Sequence, residues 1–309
     1  MILVNQLNVS GFTIQGITDA YDLQLPLFFL FLHMYLIIIF GNITIFAAIS
    51  YDSYLHTPMY IFLMNLSVND ISLTSTVLPT MLYNLFTHHK GISFAGCMTQ
   101  MYIYSSFICT EAVLLAAMAY DRYVAICHPL HYVFLMSWKR CVHFIVATWT
   151  IGFAVIIGYP VLISELPFCA SHLINHVFCD LSPLMKLSCG SPFNVELLTY
   201  IEGILVGFTC FLFILISYIF IIYSILKIQS SEGRKKTFST CGSHLTCVSI
   251  YYGSIICLHM RPSANYSPNM DRYFSLINII LVPMLNPVIY SFKNQEVISA
   301  LMKLKKMSV

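Results

Sequence analysis

Charge is what this chain has least of. Of its 309 residues only 9% are Asp, Glu, Lys or Arg, against 58% hydrophobic and 15% aromatic. A water-soluble domain carries about 25% charge because its surface faces solvent, so the scarcity excludes an ordinary soluble globule and points to a chain that faces lipid. There is no basic block of the kind that would bind nucleic acid, and the net charge of +2 identifies no other partner. Lys and Arg are missing from residues 1–25, which show no charged, apolar and cleavage regions in series; no removable signal peptide is expected, and the first span itself directs insertion. Internal repeats are missing too, which argues against transporters built from matched inverted halves. No HExxH run and no Cys/His spacing suited to zinc occurs, and no nucleophile is paired with a base. The His88-His89 pair reads as ordinary polar loop. An enzyme is not expected.

What is present is a series of apolar runs. A span needs about 20 apolar residues, and seven are read at 26–50, 58–82, 94–127, 141–163, 195–226, 237–260 and 272–292. The fold class is therefore an all-α, seven-helix membrane bundle over 26–292, with an outer segment 1–25 and an inner tail 293–309, both too short for cores of their own. The third and fifth spans exceed what a bilayer requires and are expected to tilt or project into water. With the amino terminus outside, eleven of the fifteen Lys and Arg fall on the inner side: Arg122, Lys139, Arg140, Lys227, Arg234, Lys235, Lys236, Lys293, Lys303, Lys305 and Lys306. Lys90, Lys186, Arg261 and Arg272 are left outside, a positive-inside bias. Sequons place glycosylation at Asn8 and, with less support, at Asn265; those at Asn42 and Asn65 fall inside spans. Residues 293–306 have the spacing of a short amphipathic helix on the membrane, with Val297, Leu301 and Leu304 on one face. Ser299 and Ser308 are candidate phosphorylation sites.

Four of eleven cysteines stand at outer positions: Cys97, Cys169, Cys179 and Cys189. An even number facing an oxidising space implies two disulfides, and three pairings satisfy that count. The other seven read as small apolar packing residues. The outer loop from about 164 to 194 is the one long connection, more often a lid or binding element than a linker.

Polar residues inside the spans carry the chemistry. Asp121 and Arg122 close an apolar helix in MAYDRYVAIC (118–127). An acid–base pair there is expensive to place; it reads either as a breakable electrostatic latch or as a snorkelling pair that marks the interface. Asp70 and Glu111 are buried acids that must be neutral, paired or bound to a cation. With Asn42 and Asn286 nearby they form a plausible sodium-sized site, the alternative being a protonated, hydrogen-bonded acid. Pro283 and Pro287 bend the last span, as a hinge or a fixed kink, with Asn286 positioned to satisfy the carbonyls they release.

Further runs stand in a fixed order: Gly41-Asn42, LHTPMY (55–60), LSVNDI (66–71), MAYDRYVAIC continuing into HPLHY (128–132), Ser217-Tyr218, KKTFSTCGSHL (235–245) and PMLNPVIY (283–290). Together they resemble the rhodopsin-like G-protein-coupled receptors and, within these, the vertebrate olfactory receptors, over residues 20 to 300. The loop run HVFCDLSPLMKLSC (176–189) resembles the tetrapod-type, airborne-odorant branch. The resemblance implies an odorant receptor of the plasma membrane, expected in sensory cilia, that binds small odorants and activates a stimulatory olfactory-type G-protein to raise cyclic AMP. It implies an activation switch of Asp121, Arg122, Tyr123, Tyr218, Asn286, Pro287 and Tyr290, and disulfides Cys97–Cys179 and Cys169–Cys189. It supports sodium at Asp70, with Glu111 as an extra acid, and no other cofactor.

The resemblance also guides an odorant pocket in the outer half of the bundle, where ligand sites are concave and mostly apolar. Its candidates are Tyr104, Ser105, Ile108, Cys109, Glu202, Val206, Tyr252, Ile255, Ile256, His259 and Ile279, each equally readable as bundle packing. Glu202 is the unexpected charge, either an anchor for a polar or cationic ligand group or a lipid-headgroup or loop contact near the span's outer end. Receptors for peptides or amines share the implied fold, but Tyr104 stands where aminergic receptors carry an acid. A channel or transporter would need a polar path, whereas Asp70 and Glu111 form a single cluster.

Overall fold

The computed structural model describes residues 11–168, 172–259, 268–292 and 295–307. Seven of its helices are long and apolar enough to cross a membrane. They are α1 (Tyr21–Tyr51), α2 (Pro58–Thr87), α3 (Phe94–Cys127), α4 (Trp138–Ser164), α5 (Phe193–Leu226), α6 (Ser231–His259) and α7 (268–292). A further helix, α8 (Gln295–Met307), follows. The chain is a multi-pass, seven-helix membrane bundle. Its α3 runs through the middle, packed on α2, α4 and α5, while α1 and α5 turn long apolar faces such as Phe29, Phe40, Phe213 and Phe220 outward.

Helix ends depart most from the sequence reading where helices outrun their apolar stretch. Helix α6 begins at Ser231 rather than 237, and α2 runs to Thr87 rather than 82. Hydropathy registers only the part of a helix that lipid would cover, so the polar turn SEGRKK escapes it.

The prolines of α7 are patched by neighbouring helices. Proline at i removes the bond to the carbonyl at i−4, so Pro283 releases Ile279 and Pro287 releases Pro283. Thr74 of α2 donates its hydroxyl to the Ile279 carbonyl at 3.1 Å. Asn42 of α1 donates Nδ2 to the Pro283 carbonyl at 3.1 Å. The expected donor was Asn286; its amide instead reaches Asp70 Oδ2 at 2.9 Å. Gly41 lets α1 come this close, since a Cβ there would stand 3.3 Å from the Pro287 ring. A π-helical turn, Ile277–Leu281, lies just before the first proline. Helices α3 and α4 also cross closely, since a Cβ on Gly152 would lie 1.9 Å from Thr110 Oγ1.

One end of the bundle, called here the sheet end, carries three short strands in the order β2–β1–β3: β1 (Gly11–Ile14), β2 (Gly91–Ser93) and β3 (Leu173–Ile174). Strand β1 pairs antiparallel with β2, Gly11 facing Ser93, and parallel with β3, Thr13 facing Leu173. Strand alternation turns Phe12 and Ile14 inward, where Phe12 meets Phe168 and Phe94. At the opposite end, called the Arg122 end, α8 buries Val297 and Ala300. Two bonds tie α8 down: Tyr60 to Glu296 at 2.7 Å and Lys303 to Asp52 at 2.6 Å. That lysine holds the Asp52 carboxyl below the ordinary carboxylate range.

Candidate functional site

Two groups of side chains, one at each end, carry the functional reading. At the sheet end the long loop is tethered to α3 by a disulfide between Cys97 and Cys179, and the Cys179 amide donates to Gln100 Oε1 at 3.0 Å. The tether sets Phe178 edge-on against Tyr104, ring centres 4.6 Å apart, with His176 also edge-on to Phe178 at 4.7 Å. His176 is fully buried, and burial lowers its pKa from the ordinary 6.5 by disfavouring the charged ring, with Arg272 acting in the same direction and Asp180 and Asp271 opposing. Arg272 of α7 donates to Asn175 of the loop and, at 2.9 Å, to Gln15 beside β1. Lys90 pairs with Asp19 at 2.7 Å and holds that carboxyl below its usual range.

Beneath this lid, three packed clusters converge on α3. Tyr104 and Ile279 share one with Phe178. Cys109 and Val206 share a second with Tyr159 of α4. Tyr252 lies in a third, and the half-buried Ile108 and Ile255 pack against it. The Tyr251 hydroxyl donates to the Ile108 carbonyl at 2.7 Å, tying α6 to α3. Ser254 donates to Asn278 Oδ1 at 2.6 Å, tying α6 to α7. The Tyr252 hydroxyl is buried with no partner, beside Phe211. Ser105 is half-buried. Glu202 accepts from the Tyr159 hydroxyl at 3.4 Å, a contact that residue spacing gave no sign of.

Ile256 is not brought to this site. It is 42% exposed, as Thr246, Ser249 and Gly253 of α6 are exposed. Helical register puts it at the edge of the inward face, about 40° past Tyr252 and about 80° from Val248, where its side chain is left partly uncovered.

At the Arg122 end the expected pairing of Asp121 with Arg122 is not formed. Consecutive helical residues do not face each other. Asp121 Oδ1 instead accepts from the Tyr132 hydroxyl at 2.8 Å, and Arg122 Nε is buried without a partner. Burial and the neighbouring Asp121 carboxylate raise the Tyr132 pKa. Tyr218 of α5 bonds His244 Nδ1 of α6 at 2.7 Å, the two rings stacked. Tyr123 meets His128 Nε2 at 3.0 Å. His244 and Tyr132 were passed over in the sequence. An imidazole inside an apolar span was the available signal for the first; the second had none beyond its place in HPLHY.

In the middle, Asp70 and Glu111 lie within electrostatic reach of one another. Apart from the Asn286 bond, five side-chain oxygens around them are buried without a protein partner: Asp70 Oδ1, both of Glu111, Asn42 Oδ1 and Asn286 Oδ1. Among the described residues no group of three His, Cys, Asp or Glu could hold a metal ion. Residues Asn8, Cys169 and Asn265, and the side chains of His259 and Tyr290, lie outside the described residues; so does Ser308.

Comparison with known proteins fits this geometry. A family model described as olfactory receptor matches residues 31–307. The chain is similar to olfactory receptor 1G1 of Gorilla gorilla gorilla, 45% identical over 300 residues that cover 97% of this chain and 96% of the relative. It is 45% identical to olfactory receptor 8A1 of Homo sapiens over 305 residues, covering 97% and 91%. Olfactory receptor 5AR1 of Mus musculus is 44% identical over 296 residues, covering 96% of each chain.

Proposed function

Because the chain belongs to the olfactory receptor family, a receptor class and not an enzyme, we propose that small odorants held beneath the sheet-end lid open its Arg122 end to a stimulatory olfactory-type G-protein, raising cyclic AMP. The observation that carries this is the contrast of polar states along the bundle. An apolar site with few polar anchors lies under a tethered lid. At the far end a half-buried arginine has a buried, unpartnered Nε, beside bonds that single side-chain movements would break. Ligand occupancy favours whichever state binds it better. A state in which α6 moves away from α5 releases Tyr218 from His244 and exposes Arg122 to a partner.

On this reading the sheet end is outside the plasma membrane, in sensory cilia, with Asn8 and Asn265 available for glycosylation and Cys169 joined to Cys189. The Arg122 end and α8 face the cytoplasm and anionic lipid. The unpartnered oxygens of Asp70, Glu111, Asn42 and Asn286 fit a sodium ion, which takes oxygen ligands; when bound it would neutralise charge that lipid makes costly.

The test is cyclic AMP in cells expressing the full chain with an olfactory-type G-protein, across a chemically broad odorant panel, beside Arg122→Ala and with surface staining for both. An odorant response lost in Arg122→Ala supports the reading. Silence across the panel with full surface staining counts against it.

A further inference from the structure

Glu202 belongs neither to the mid-bundle acids nor to the Arg122 end. It lies on the inward stripe of α5: Val195, seven residues before it, and Val206, four after, are both buried, so Glu202 shares their helix face. From Tyr218 it stands about 24 Å nearer the sheet end at 1.5 Å per residue, a level close to that of Tyr104, about 27 Å from Arg122. The π-helical turn Gly203–Phe208 begins at the next residue, and such turns recur at functional sites because they re-aim side chains. The carboxylate's hydrogen-bond partner is Tyr159, at a long 3.4 Å. Among the described residues no Lys, Arg or His forms an ion pair with it. Of the basic residues of the sheet end, Lys90 stands on a loop, Lys186 on the short helix Leu181–Leu187 and Arg272 at the top of α7.

An acid in this setting costs several kcal/mol unless a cation or hydrogen-bond donors compensate it. One long bond from a tyrosine is weak compensation. The walls around it are apolar or sulfur-bearing, with Cys109, Val206 and Cys210 in the same packed cluster, so they add no positive charge. A cationic group on a bound ligand would supply the charge that these walls lack.

We propose that Glu202 is the specificity-determining residue of the odorant site, selecting small ligands that carry a protonated amine. This rests on the odorant-receptor reading and adds a ligand class to it. An alkylamine, like lysine, titrates near 10.4 and is cationic at neutral pH. Its ammonium donates charge-assisted hydrogen bonds to Glu202, while its hydrocarbon part takes the apolar wall of Val206 and Ile108. An alcohol of the same skeleton brings one neutral donor and no charge.

The experiment pairs butylamine, hexylamine and cyclohexylamine with the corresponding alcohols. Two readouts are taken: cyclic AMP in cells, and thermal stability of the purified full chain, which reports binding without signalling. The wild type prefers amines in the stability readout. Glu202→Gln weakens amine potency by about 10- to 100-fold, the worth of a hydrogen bond to a charged group, and leaves the alcohols within a few-fold. Glu202→Lys shifts preference to hexanoic acid. Tyr159→Phe, which removes the interhelical bond and keeps the acid, retains the amine preference. If the contact were only structural, Tyr159→Phe and Glu202→Gln would lower stability alike and move amines and alcohols together, and the proposal fails. It fails equally if amines give no stability shift, or if Glu202→Gln leaves their ranking unchanged. Stability shifts without cyclic AMP uphold the ligand class and count against the coupling; cyclic AMP from neutral odorants without amine binding does the reverse.

Discussion

The two ends of this bundle are fastened in different ways. At the sheet end, segments far apart in sequence are joined by backbone ladders, by the Cys97–Cys179 disulfide and by the Lys90–Asp19 and Arg272 contacts. At the Arg122 end, helices meet through single side-chain bonds: Asp121 with Tyr132, Tyr218 with His244, Cys127 with Ser224. Ladder and disulfide restraints are cooperative and give way together, whereas a lone hydrogen bond contributes about 0.5–1.5 kcal/mol and exchanges readily. The difference teaches how one fold recognises a shape and still moves. On the proposed reading, the lid is held so that the ligand site keeps its form, and the other end is held weakly enough for a binding energy of a few kcal/mol to rearrange it.

The contrast breaks most visibly at its covalent tie. Cys97→Ser opens a link between residues 82 apart, which the chain-entropy relation values at about 4–5 kcal/mol. We expect a large fall in thermal stability and in surface staining; an unchanged melting temperature would show that the ladder alone holds the lid. Next come the patches on α7. Asn42→Ala leaves the Pro283 carbonyl without its donor and is expected to cost about 1–3 kcal/mol, with Thr74→Val doing the same at Ile279; thermal unfolding reads both.

At the Arg122 end, Tyr132→Phe strips Asp121 of its hydroxyl partner. Since that bond holds the resting arrangement in this account, basal cyclic AMP rises several-fold at equal surface staining, and a fall would contradict the assignment. Tyr60→Phe removes the bond to Glu296 and should cost about 0.5–1.5 kcal/mol, because Val297 and Ala300 still dock α8.

The smallest effect is expected from acid at the lid. His176 has a folded pKa below its ordinary 6.5, so under that pH the unfolded chain binds a proton that the native chain resists. Stability is therefore full above about pH 6.5 and declines as pH falls through the window below it. The attraction of Asp180 and Asp271 for the charged ring limits the loss. His176→Gln should flatten this slope in thermal melts taken across that range.

Hydropathy made the seven spans readable, because lipid imposes a long, continuous signal on the chain. The sheet left no such trace: strands of two to four residues, such as GFTI and GIS, are too short to show alternation. The Cys97–Cys179 pairing came from family resemblance, not from spacing. Adjacency misled at Asp121, where neighbours in sequence point apart on the helix and the true partner, Tyr132, is eleven residues on. Ile256 was placed in the pocket by family resemblance, which does not resolve which edge of a helix face a given side chain takes; the structure leaves it 42% exposed. Asn42 was readable as a buried polar residue, but its target, a carbonyl released by a proline 245 positions later, exists only once α1 and α7 are packed together.

The most direct test of the contrast is a pair of distances in one purified protein, with and without a nucleotide-free stimulatory olfactory-type G-protein. Probes at Lys139 of α4 and Lys235 of α6 report the Arg122 end; probes at Thr13 of β1 and Leu197 of α5, both exposed, report the sheet end. The account predicts that adding the G-protein lengthens the first distance by several ångströms and leaves the second nearly unchanged. A first distance that stays fixed, or two distances that change together, would contradict it.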